Sequence, residues 1–152
     1  AGQRCTSTRR VIVHELHYAE LVSRLRGAYA QVRIGDPLTP DVLMGPLIDA
    51  LAVARYQAAL EAVIQAGGEV LFGGHVLPGP GHFVEPTIVR AHHDWDIVQQ
   101  ETFAPILYVM TFRTLDEAKV PYDHFLIKSI PLSSCPIWQS DWGGLRKSCR
   151  RS

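Results

Sequence analysis

The chain has 152 residues, 47% of them apolar and 20% charged, which suits one packed domain. Its fifteen basic and fifteen acidic side chains cancel, so no long-range field exists to gather nucleic acid or an anionic membrane, and neither is expected as a partner. No apolar run approaches the span of a bilayer, and the first residues lack the charged-then-apolar order of a signal peptide.

Residues 9–13 read as a short buried strand, because Val11, Ile12 and Val13 form an unbroken apolar run. A helix is expected over residues 17–32, where Leu21, Val22, Leu25, Ala28, Tyr29 and Val32 recur at three- and four-residue steps and share a face. Gly35-Asp36-Pro37 ends it, and Pro40, Gly45 and Pro46 keep the following stretch turn-rich. A second, alanine-rich helix spans residues 49–65, with Gly67-Gly68 supplying the left-handed cap that glycine adopts cheaply. Strands are expected at 69–72, around 83–89 and at 105–112, with a glycine- and proline-rich loop at 73–81. Continuous apolar strands between amphipathic helices predict an α/β fold with a sheet covered on both faces.

From about residue 119 the prolines Pro121, Pro131 and Pro136 interrupt any period, and the end is basic. Residues 1–118 are therefore expected to carry the structured part, and 119–152 to be a divergent, poorly ordered tail. Three cysteines (Cys5, Cys135, Cys149) at wide spacings do not suggest a disulfide framework, so a reducing, cytoplasmic setting is the expectation. The start on Ala1 rather than Met points to a chain that begins inside a longer reading frame.

Cys5 lies in Gly2-Gln3-Arg4-Cys5-Thr6-Ser7-Thr8-Arg9-Arg10. A glycine lets backbone approach a substrate closely, and arginines favour thiolate over thiol where they face the sulfur. The plainer reading is an inert buried cysteine, which most lone cysteines are. Among the seven histidines, His14 with His17 and the run His92-His93-Asp94 lack the ligand pattern of a zinc site, so no metal is expected.

The Cys5 segment resembles the active-site cysteine segment of the aldehyde dehydrogenase superfamily. Three further segments resemble the same family in the same order: Gly35-Asp36-Pro37-Leu38 with Met44-Gly45-Pro46-Leu47-Ile48-Asp49; Gly67-Gly68, Gly73-Gly74 and Phe83-Val84-Glu85-Pro86-Thr87-Ile88; and Glu101-Thr102-Phe103-Ala104-Pro105-Ile106-Leu107. Together they cover about residues 1–118. Gln3-Arg4-Cys5-Thr6 with Thr8-Arg9-Arg10 is most similar to the α-aminoadipic semialdehyde (antiquitin-like) branch.

The resemblance implies part of the catalytic domain, with an incomplete doubly wound sheet. It implies NAD- or NADP-dependent oxidation of a small aldehyde or semialdehyde to its acid. Cys5 would be the nucleophile, Glu101 the carboxylate that bonds the nicotinamide-side ribose, and Phe103 the aromatic beside the nicotinamide ring. Arg4 would face a distal substrate carboxylate. Taken without the family, Glu101 reads as a solvated loop charge, Phe103 as a core residue and Arg4 as a surface arginine. The family's dinucleotide-binding domain, oxyanion asparagine and general-base glutamate have no counterpart here, and Leu132-Ser133-Ser134-Cys135-Pro136-Ile137 only faintly echoes a later family strand.

The cofactor site is accordingly expected to be incomplete and the isolated chain inactive, working as a homo-oligomer or by pairing with a full-length relative. The competing expectations are a non-catalytic interaction or regulatory module, a decayed gene product, and a cysteine acyltransferase or thioesterase, which would need a histidine partner for Cys5. Lost neighbours are also expected to leave residues 105–112 as an open sheet edge prone to association.

Overall fold

The computed structural model describes residues 1–119. The expectations placed on the tail beyond Lys119, including Cys135, Cys149 and residues 132–137, lie outside the described residues. The chain divides into two units, a compact one at Ala1–Thr114 and a second that begins at Leu115. The second is described only over residues 115–119, a helical turn in which Lys119 pairs with Asp116 at 2.7 Å.

The first unit runs β1 (Arg10–His14), α1 (Glu15–Tyr29), α2 (Ala50–Gln65), β2 (Glu69–Phe72), β3 (Thr87–Arg90), α3 (Asp96–Gln99) and β4 (Ile106–Phe112). Helix α1 starts earlier than its apolar spacing indicates, because the Nδ1 of His14 accepts from the Leu16 N–H at 3.2 Å and caps it. It also ends earlier, since the Gln31 and Val32 amides bond the carbonyls of Ala28 and Tyr29, three residues back, at 3.2 and 3.1 Å. Helix α2 matches its expected span. Asp49 accepts from the Ala52 N–H at 2.7 Å, and Gly67 at φ +88° closes the other end. The Gly67 and Gly68 amides then satisfy the Ile64 and Val63 carbonyls at 3.0 and 2.8 Å.

The strand expected around 83–89 contracts to β3. Pro86 has no N–H to give a ladder, and Val84 keeps only an isolated bridge to Val76. The short α3 shows no period in the sequence, since a single turn is too brief for one to register.

The sheet order is β1-β4-β3-β2. β4 runs parallel to both β1 and β3, while β2 is antiparallel to β3. This corrects the expectation of an exposed edge at residues 105–112: β4 is an interior strand, and Ile106–Met110 are all buried. The edges are β1 and β2. Val22 of α1 packs with Ile88, Leu107 and Val109 on one face, flanked by Val11, Val13 and Tyr29. Alternation along the strands sends Thr87 to the opposite face, where the fully buried Tyr56 of α2 meets it. The architecture is an open, mixed α/β sheet with a helix on each side. Among the described residues no helix is long and apolar enough to cross a membrane.

Candidate active site

The topology decides which loops meet. Because β1 and β4 are parallel, with Arg10 opposite Tyr108, the segments that lead into them enter at the same end of the sheet. Those segments are residues 1–9, which carry Cys5, and residues 101–105.

Cys5 is exposed, in a turn closed by the Ser7 N–H donating to the Arg4 carbonyl at 3.1 Å. Gly2 has φ +68°, and a Cβ there would stand 2.9 Å from both the Ala104 carbonyl oxygen and the Pro105 Cα. Only a glycine lets the two backbones approach so closely. Gln3 fixes the segment from another side, its Oε1 accepting from the Ile48 N–H at 2.9 Å.

Arg9 ties the two loops together. Its Nη1 forms an ion pair with Oε1 of Glu101. Its Nη2 donates to the Arg4 carbonyl at 3.1 Å, and its Cζ stands 5.0 Å from the Phe103 ring centroid. The Arg9 side chain is 14% exposed against 58% for Glu101, so the carboxylate faces solvent while the cation is largely enclosed. Arg10 instead donates from Nε to the Val98 carbonyl at 2.6 Å, anchoring α3. Burial lowers its pKa, partly opposed by Tyr108.

The structure therefore unites Cys5, Glu101 and Phe103 at one end of the sheet. Arg4 shares the exposed Cys5 turn. Glu101 remains a largely solvated loop charge, now paired with Arg9, and it also lines an open hollow with Arg55, Ile97 and Thr102. Phe103 is not a core residue: it is 37% exposed and held at φ +56°. The arginines considered as thiolate-favouring neighbours direct their hydrogen bonds elsewhere, Arg9 to Glu101 and Arg4, Arg10 to Val98. Arg9 as the link between the loops escaped sequence reasoning, because it lies 92 residues from Glu101 and no spacing signals their meeting.

The histidines occupy other places. The Nε2 of His14 lies 3.1 Å from the Arg113 carbonyl, so its ring is engaged at both nitrogens. Asp94 lies between His92 and His93, at 3.3 and 2.6 Å from their ring nitrogens, and the three ligand atoms fall within 4.8 Å of one another.

An exposed thiol on the loop entering β1, tied through Gly2 and Arg9 to the acid–aromatic loop entering its parallel neighbour β4, belongs to an open α/β domain. The model of the aldehyde dehydrogenase family matches residues 1–121, and the chain belongs to that family. It is 51% identical over 118 residues to the alpha-aminoadipic semialdehyde dehydrogenase of Mus musculus, covering 77% of this chain and 22% of that protein. The Bos taurus protein of the same name is also 51% identical over 118 residues, with the same coverage. The chain thus spans about a fifth of the length of these relatives.

Among solved structures, lactaldehyde dehydrogenase from Escherichia coli superposes with a TM-score of 0.75 at 35% identity, covering 79% of this chain and 26% of that one. The NAD-dependent aldehyde dehydrogenase of Sinorhizobium meliloti gives 0.77 at 32%, covering 82% and 25%.

Proposed function

We propose that this chain supplies the nucleophile and the nicotinamide-side contacts for NAD(P)-dependent oxidation of an aldehyde to a carboxylic acid. The observation that carries the reading is the meeting of the Cys5 turn with the Glu101–Pro105 loop, through Gly2 and Arg9.

The Cys5 thiolate attacks the aldehyde carbon and forms a thiohemiacetal, whose oxyanion the Cys5 backbone N–H would hold as a donor. Loss of hydride from that carbon leaves a thioester on Cys5. Water then attacks the thioester, which is more activated than an oxygen ester, and frees the acid and the thiol. The residues present fit a nicotinamide cofactor. Arg9 pairs with Glu101 through Oε1, so the carboxylate's other oxygen can accept ribose hydroxyls, and the part-exposed Phe103 ring offers an apolar wall. The cofactor's chemistry is that of a hydride acceptor.

The semialdehyde named for the Mus musculus and Bos taurus relatives suggests a substrate with a distal carboxylate, and the exposed Arg4 beside Cys5 would face it. A cytoplasmic setting keeps the Cys5 thiol reduced. Assembly with further copies or with a full-length relative would cover the β1 and β2 edges.

The test uses the longest protein product containing these residues. Wild type should form NADH from a carboxylate-bearing semialdehyde, and Cys5→Ser should not. Native iodoacetamide labelling, read by mass spectrometry, should modify Cys5 faster than Cys135 or Cys149. Equal NADH formation by Cys5→Ser sinks the assignment.

A further inference from the structure

We infer that Arg9 is a positioning residue for the cofactor, holding Glu101 and Phe103 in the arrangement the nicotinamide riboside meets. The inference rests on the cofactor-side reading of Glu101 and Phe103. Three contacts converge on one guanidinium: the Glu101 ion pair, the Arg4 carbonyl at 3.1 Å and the Phe103 ring at 5.0 Å. Each constrains a different part of the site.

The ion pair uses one carboxylate oxygen of Glu101, so the other oxygen stays an acceptor for ligand hydroxyls. The ring contact opposes the cost of holding Phe103 at φ +56°, a conformation that side chains larger than glycine adopt only under constraint. The carbonyl contact ties both to the turn that carries Cys5. A planar cation with several donors can do all three at once, whereas an ammonium is a single point charge on a flexible stem. The guanidinium is largely buried and its Nε has no hydrogen-bond partner among the described residues. Enclosing a cation with one buried donor left unpartnered is costly, which is hard to account for at a position that serves only solubility.

The experiment uses the longest protein product containing these residues and measures equilibrium binding, so turnover is not needed. NAD and AMP are titrated separately, because AMP lacks the nicotinamide riboside. Losing the hold on Glu101 should weaken NAD binding about tenfold in Arg9→Ala, the scale of one charge-assisted hydrogen bond, while AMP binds as in wild type. Arg9→Lys should recover part of the NAD affinity. Glu101→Gln should also weaken NAD, and the double variant Arg9→Ala/Glu101→Gln should lose little more than the worse single variant, because Arg9 acts through Glu101.

Unchanged NAD affinity in Arg9→Ala overturns the inference. So do fully additive losses in the double variant. A parallel loss of AMP binding shows that Arg9 merely maintains the fold, and overturns it too. A wild type that binds AMP but gains nothing from the nicotinamide riboside refutes the reading of Glu101 and Phe103, and the inference with it. Normal weakening in Glu101→Gln alongside an unaffected Arg9→Ala refutes the inference alone.

Discussion

Tyr56, Thr87 and the Glu85 carbonyl form a hydrogen-bonded set, to which the Gly74 backbone adds a bond to the Tyr56 hydroxyl, and its response to mutation can be worked out from the geometry. The Tyr56 hydroxyl lies 2.6 Å from Thr87 Oγ1 and donates to the Glu85 carbonyl at 3.0 Å, and the Thr87 hydroxyl reaches the same carbonyl at 3.0 Å. Tyr56 and Thr87 are both 0% exposed, so water cannot substitute for a lost partner. Tyr56→Phe leaves the Thr87 hydroxyl to satisfy the carbonyl, and Thr87→Val leaves the Tyr56 hydroxyl. Thr87→Val should therefore cost about 1 kcal/mol, the net worth of one hydrogen bond, and Tyr56→Phe more, because the Gly74 backbone N–H also loses its acceptor.

The double variant removes both donors and strands the carbonyl, which adds roughly 1–3 kcal/mol of desolvation penalty. The expectation is a loss larger than the sum of the singles, read from urea denaturation at constant slope. The network also matters to the site, since the Thr87 N–H donates to the Pro105 carbonyl at 2.8 Å and holds the start of β3 against the loop that carries Glu101. If the double variant equals the sum of the singles within about 0.5 kcal/mol, the shared carbonyl is not the common acceptor and the reasoning fails.

Three further expectations follow from local geometry. Burial raises the pKa of Tyr18, Tyr29, Tyr56 and Tyr108; above a pH of about 10 the unfolded chain therefore loses phenolic protons that the folded one keeps. Stability should be fully present below that pH and fall as pH rises further, and a flat urea midpoint from about pH 8 to pH 11 would contradict this. Asp49→Ala should cost about 1 kcal/mol by removing the 2.7 Å cap on Ala52; Asn should restore most of it, and an unchanged midpoint in the alanine variant would show the cap to be idle. Gly2→Ala puts a Cβ 2.9 Å from the Ala104 and Pro105 backbone, so the Cys5 segment should lift. Hydrogen exchange at residues 101–105 should then quicken, and unaltered exchange counts against the close approach.

Much of the fold was legible residue by residue. Asp49 and Gly67 bound α2 because capping is a local transaction between a side chain or a glycine and the nearest free amides and carbonyls. The apolar run at Ile106–Met110 announced a strand because burial on both faces demands apolar residues at every position, while the run at Val11–Val13 announced β1, which was expected to be buried but at the sheet edge is only half-buried. The Cys5 and Glu101–Pro105 segments were legible as motifs. Local pattern could not reveal which strands pair or in which direction, since that choice depends on contacts far apart in the chain. Only the tertiary structure set β4 between β1 and β3 and ran β2 against them. That parallel pairing carries residues 1–9 and 101–105 to one end of the sheet. There Arg9 reaches Glu101 across 92 positions of sequence, and Phe103 turns partly outward at a positive φ. No period or propensity encodes such a meeting, because its partners become neighbours only once the sheet between them has formed.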